Sequence, residues 1–271
     1  MRTGDTPLPA ARRIKETGTG RQAMCADLAR TGTALVYTRL SDWPVLLADE
    51  PAMCELLGHE AHRWAGLPRT PVRRRFALSR VLLKHALGAV IGAPAARIEL
   101  AKRPSGSPYA RGCDRVEVSL SHTDDVVLVG LSTLGPIGVD VERGDRRMAR
   151  DALLREICTP AELAALRGLP DGRRATELIR LWTLKEAYSK AVGQGLRFPF
   201  HEFGFSPGEP DPWLCGPDGE AAGGGPWLFS TRGIEGEFTA GVAVLATGRD
   251  HMPGEGPLEL LDLEAAGLLM A

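Results

Sequence analysis

The run GPIGVDVERGD (135–145) constrains this chain more than any other. A Gly-Pro turn opens it, and apolar and acidic residues then alternate. Residues two apart on a strand point to the same face, so Val139 and Val141 are expected to face a core. Asp140 and Glu142 then share the opposite face and one cleft. Two carboxylates that close raise each other's pKa unless a cation lies between them. A third carboxylate, Glu186, lies in LWTLKEAYSKAVGQGL (181–196), which reads as a helix. Hard oxygen donors in this arrangement suit Mg2+ holding substrate phosphates.

The rest of the chain must supply a core around this strand. With 271 residues, 44% of them apolar, it has enough for one large domain or two half-sized ones. A net charge of −1 favours neither nucleic acid nor membrane. The five cysteines (Cys25, Cys54, Cys113, Cys158, Cys215) are scattered and include no CxxC pair. That argues against a zinc site or a disulfide framework and for a reducing cytoplasm. No apolar run approaches the ~20 residues of a membrane span. The N-terminal stretch lacks the apolar core of a signal peptide.

Along the chain, residues 1–28 show little periodicity and read as a flexible leader. Strands are expected at 34–40, 116–122, 126–132, 137–142, 203–206, 227–230 and 238–246. Helices are expected from Pro51 to about Trp64, over PVRRRFALSRVLLKHALGAVIG (71–92), after Thr159, and over about 174–192. Thr159, Pro160 and Glu162 make a capping box with proline at the first helical position. Segment 102–109 reads as loop, 216–226 as a Gly-rich insert, and 248–271 as a tail holding the amphipathic LELLDLEAAGLL. The order suggests two halves of similar plan, 29–133 and 134–247, meeting near residue 134, with the acidic strand beside the seam.

Each candidate also has a plainer explanation. Glu186 and Lys190 share a helix face, and such a pair often only stabilises an exposed helix. Asp140 with Glu142 can be a solvated strand face. Ser121 and His122 point to opposite faces of a strand, which weakens a hydrolase triad and leaves a strand cap or a phosphate-binding pair. Arg73–Arg75, Arg80 and Lys84 form one basic helix face, either solvated or the dock of an anion.

Taken together in order and spacing, SLSH, IGVDVE and LWTLKEAYSKAVGQGL resemble the Sfp-type 4′-phosphopantetheinyl transferases over about residues 70–200. The resemblance implies an α+β fold of two similar α/β halves in a pseudo-twofold arrangement, with coenzyme A and Mg2+ between them. It implies transfer of the phosphopantetheine arm to a carrier-protein serine with release of 3′,5′-ADP. By the same resemblance, Asp140, Glu142 and Glu186 match metal ligands, and Lys190 a lysine near the leaving phosphate. Glu186 and Lys190 are thus the catalytic pair, Glu186 being the candidate general base. Ser121 and His122 match a coenzyme-binding pair, and Arg75 a basic residue that contacts coenzyme A. Glu162 falls where some members carry a glutamate near the acceptor, although the capping box already accounts for it. One departure stands out. Where the family usually reads GKP this chain has SGSP, with Ser107 at the lysine's place, so Lys102 or Arg103 is the expected replacement cation.

The implied partner is an apo carrier protein or carrier domain of a fatty acid, polyketide or nonribosomal peptide synthase. Arg143, Arg146, Arg147 and Arg150, just past the acidic strand, are candidates to meet its acidic helix. No nucleic acid or membrane partner is expected, and an internal pseudodimer needs no second chain, so a monomer is expected. Two other classes compete. One is a coenzyme A-binding module without transfer, which the intact carboxylates and lysine oppose. The other is a Mg2+-dependent phosphohydrolase using water in place of serine.

Overall fold

A computed structural model describes residues 8–68, 71–145, 151–194, 198–206, 208, 212–222 and 225–247. Of residues 151–153 it describes the backbone alone. Arg146, Arg147, Arg150 and the 248–271 tail lie outside these.

In chain order the elements begin with β1 (Arg12–Arg13), α1 (Arg21–Thr31) and β2 (Thr33–Arg39). Next come α2 (Pro44–Ala48), α3 (Glu50–Leu57), α4 (Ala61–Ala65) and α5 (Pro71–Ile91). The strands β3 (Leu100–Lys102), β4 (Pro108–Ala110), β5 (Glu117–Thr123), β6 (Val126–Ser132) and β7 (Ile137–Arg143) follow. After α6 (Asp151–Ile157), α7 (Pro160–Arg167) and α8 (Asp171–Ala191), the described chain ends with four strands. These are β8 (Gly204–Phe205), β9 (Leu214–Cys215), β10 (Trp227–Ile234) and β11 (Phe238–Leu245). The fold is mixed α/β.

Two sheets matter for the site. One runs β1-β2-β6-β5, and the other β10-β11-β7. They abut where β5 lies alongside β7, and among the described residues no backbone ladder joins them there. Side-chain hydroxyls stitch the joint instead. The Val139 N–H donates to Ser119 Oγ (3.1 Å), and the Val141 N–H to Ser121 Oγ (3.4 Å). Val139 and Val141 are buried in a core shared between the sheets, with Leu35, Leu128, Phe238 and Val242. One further core lies under α5 and another under α8. Burying such aliphatic side chains contributes about 1.5–3 kcal/mol apiece.

Helix α8 reaches the acidic strand because glycines clear its path. A Cβ on Gly138 would run into the Ala187 carbonyl oxygen, and one on Gly241 into that of Thr183. Gly241 pairs with Asp140 in the β11–β7 register. The helix backbone therefore rests directly on the strand backbones. It ends at Gly193, whose φ of 76° is the left-handed conformation that stops helices.

Several expectations need correction. Residues 8–28 are not a featureless leader: they include β1 and most of α1, and Ile14 and Met24 are fully buried. Isolated apolar residues in a polar stretch carry no period, so the sequence hides this. The helix expected from Pro51 to Trp64 breaks at Gly58, whose φ of 57° lies outside helical space. Segment 102–109 is not simply loop, since β3 and β4 pair as a hairpin with Lys102 opposite Pro108. Lys84 does not lie on a solvated face. It is buried and donates to the Leu56 carbonyl, and burial lowers its pKa.

Candidate active site

β7 carries Gly138, Asp140 and Glu142 on the face that meets α8. Both carboxylates are largely buried, Asp140 at 5% and Glu142 at 8% exposure. On α8, Trp182, Glu186 and Lys190 recur every four residues, so they form one stripe along that face. Glu186 is also 8% exposed.

The side chains meet around Asp140. Lys190 Nζ lies 2.6 Å from Asp140 Oδ1, and also donates to the Val139 carbonyl (3.1 Å) and Ser121 Oγ (3.3 Å). The Ser121 hydroxyl donates to Asp140 Oδ1 at 2.7 Å. Asp140 Oδ2 is buried and makes no hydrogen bond. Glu142 Oε1 accepts the indole N–H of Trp182 at 3.3 Å. The structure thus brings Ser121, Asp140 and Lys190 into direct contact, with Glu142 on the same strand face. Among the described residues, no three His, Cys, Asp or Glu side chains converge at metal-holding distance. In this geometry Lys190 engages one oxygen of Asp140, and Trp182 one of Glu142.

His122 follows Ser121 but is exposed, as strand alternation requires. Packing around its ring, and then the nearby charge of Arg75, hold its pKa below the ordinary value, with smaller effects from Lys190 and Arg80. Arg75 is half-buried on α5.

A cleft of about 440 Å³ is lined by Arg80, Leu83, Lys102, Gly106, Pro108 and Leu120 among others. Lys102 faces this cleft. Arg103 turns away to pair with Glu117 (2.9 Å) and lie over Tyr109. Ser107 shares a hydrogen bond with Ser105 at 2.9 Å. Arg80 is held by Glu60 at 2.8 Å and Arg73 by Glu50 at 3.0 Å, so much of the basic face of α5 is already neutralised. Arg143 is exposed and paired with Asp124 (3.2 Å) and Asp145 (2.8 Å).

Glu162 stands apart from this cluster. The capping box forms as read from the sequence, with the Glu162 carboxylate accepting from the Thr159 N–H. The same carboxylate accepts from the Phe205 N–H and pairs with Lys185 Nζ at 2.6 Å. Lys185 is wholly buried, and desolvation lowers its pKa. Sequence reasoning missed Lys185, Trp182, Ser119 and the two glycines. The signal for Lys185 was present, because spacing puts it on the apolar stripe of Leu181 and Tyr188. For Gly138 it was its shared parity with Asp140.

Among the described residues, no helix is long and apolar enough to cross a membrane.

Residues 136–222 match the 4′-phosphopantetheinyl transferase superfamily. They contain Asp140, Glu142, Glu186 and Lys190, but not Arg75, Ser121 or His122. The chain is similar to the 4′-phosphopantetheinyl transferase HetI of Nostoc, 31% identical over 51% of this chain and 60% of that protein. The 4′-phosphopantetheinyl transferase psf-1 of Bacillus pumilus is 28% identical over 48% of this chain and 54% of its own. A phosphopantetheinyl transferase of Thraustochytrium is 30% identical over 49% and 51%. The chain thus spans between about half and three fifths of the length of these relatives. Residues 136–222, the segment that carries both acidic motifs, are thus similar to the 4′-phosphopantetheinyl transferase superfamily.

Proposed function

We propose that this protein transfers the 4′-phosphopantetheine arm of coenzyme A to a serine of an apo carrier protein, releasing 3′,5′-ADP. The observation that carries this reading is the Asp140–Ser121–Lys190 cluster with Glu142 beside it, in which Asp140, Glu142 and Lys190, though not Ser121, belong to the segment that matches the superfamily. The donor set is all hard oxygen, and the buried, unbonded Asp140 Oδ2 fits a divalent cation. Asp140, Glu142 and Glu186 would hold Mg2+, which when bound supplies charge neutralisation at the pyrophosphate.

The chain's own residues do the rest. Glu186 takes the proton of the attacking serine, which needs a base within hydrogen-bond reach. The serine oxygen forms its bond to phosphorus as the bond to 3′,5′-ADP breaks, and Lys190 stabilises the phosphate that leaves. Ser121, His122 and Arg75 bind the coenzyme, and Lys102, which faces the cleft, is a better replacement for the missing lysine than Arg103. We further propose that 29–133 and 134–247 are halves related by a pseudo-twofold axis. The protein is then a cytoplasmic monomer serving fatty acid, polyketide or nonribosomal peptide carriers. The arginines following β7 would face the carrier's acidic helix.

Intact-mass spectrometry of an apo carrier incubated with the protein, coenzyme A and Mg2+ tests the reading. The carrier should gain one phosphopantetheine arm. EDTA should abolish the gain, and Glu186→Gln should slow it by about 10²-fold or more. No gain on several carriers while coenzyme A still binds would leave a binding module. Release of 3′,5′-ADP without carrier would make it a hydrolase.

A further inference from the structure

We propose that Trp182 is a positioning residue that fixes the Glu142 carboxylate for divalent-cation binding, an inference that rests on the metal reading above. An indole has one hydrogen-bond donor. That of Trp182 is directed at Glu142 Oε1, 3.3 Å away. The ring is not free to wander. Its backbone belongs to a helix seated on Gly138 and Gly241, and its face leans on Phe200 with centroids 5.5 Å apart. Phe200 is itself buried.

The two strand carboxylates are therefore oriented by different devices. Asp140 is held by the Ser121 hydroxyl and the Lys190 ammonium. Glu142 has one more rotatable bond than Asp140, so its carboxylate has more orientations to choose among. The indole N–H of Trp182 holds one of its oxygens, Oε1. Groups that hydrogen-bond to metal ligands set their orientation, and removing them typically weakens metal binding 10–100-fold.

The test is Mn2+ titration of the full-length protein by calorimetry, comparing wild type with Trp182→Phe. Phenylalanine keeps the packing on Phe200 and removes only the donor. The expected result is Mn2+ binding about tenfold weaker. The same substitution in a Glu142→Gln background should add nothing. Unchanged affinity in Trp182→Phe overturns the inference, as does an equal loss in both backgrounds. If the wild type binds no Mn2+, the metal reading itself fails and takes the inference with it. Should Trp182→Phe not fold, the indole N–H resonance of Trp182 in ligand-free protein decides. Glu142→Gln should shift it, and no shift overturns the proposal.

Discussion

Glu162 shows what single residues reveal before folding and what they withhold. Its place three residues after Thr159 made the helix cap legible, because capping depends only on local spacing. Its second role depends on α8 returning over α7, which no local pattern encodes. There Glu162 is the counter-charge of a fully buried ammonium, that of Lys185, which also donates to the Ile157 and Phe200 carbonyls at 2.7 Å each. Removing one partner of a buried pair costs more than the pair contributes, because the other charge remains in a medium of low polarity. Glu162→Gln should therefore destabilise the fold by about 3–5 kcal/mol in urea denaturation. A change under about 1 kcal/mol would mean that water reaches Lys185. The pairs Asp140 with Glu142 and Glu186 with Lys190 were readable for the same local reason, whereas the contact of Lys190 with Asp140 was not. A period of two puts Asp140 and Glu142 on one strand face, and a period of four puts Glu186 and Lys190 on one helix face.

Among elements, α8 decides where the chemistry sits. Its length and apolar stripe were plain from sequence, whereas its closeness to β7 was not. That closeness follows from two missing side chains, Gly138 and Gly241, on adjacent strands. A methyl group at position 138 points at the helix backbone, which cannot rotate away as a side chain would. Gly138→Ala should cost about 1–3 kcal/mol of stability, the usual range for overpacking. It should also lower Mn2+ affinity, since α8 carries Glu186, Lys190 and Trp182 away from β7 as it moves. Loss of stability with cation affinity intact would mean that the strands yield instead of the helix. The shorter elements were less legible. Breaks such as Gly58 and hairpins as short as β3–β4 carry too few residues for a period to register.

At the scale of the whole molecule, charged groups bridge the two sheets at one end and hydroxyls join them along the middle. Arg39 of β2 lies 3.4 Å from Glu235 and 3.0 Å from Glu237 in the β10–β11 turn, and Arg13 of β1 lies 2.6 Å from Glu235. Such exposed pairs contribute little individually. The hydroxyl joint between β5 and β7 is different, because Ser121 is also a member of the acidic cluster. One oxygen accepts from the neighbouring strand's backbone and donates to Asp140. A protease site placed in the crossing at 133–135 would sever the covalent tie between the sheets. The two pieces should still elute together, and should part at a lower urea concentration in Ser121→Ala. Pieces that separate without denaturant would refute this. In the nicked protein the cluster around Asp140 would act as a clasp, since Ser121 lies on one piece and Asp140 on the other, and a ligand that settles there should draw the two together. Reassembly of the pieces would then report occupancy of the site with no need to follow turnover.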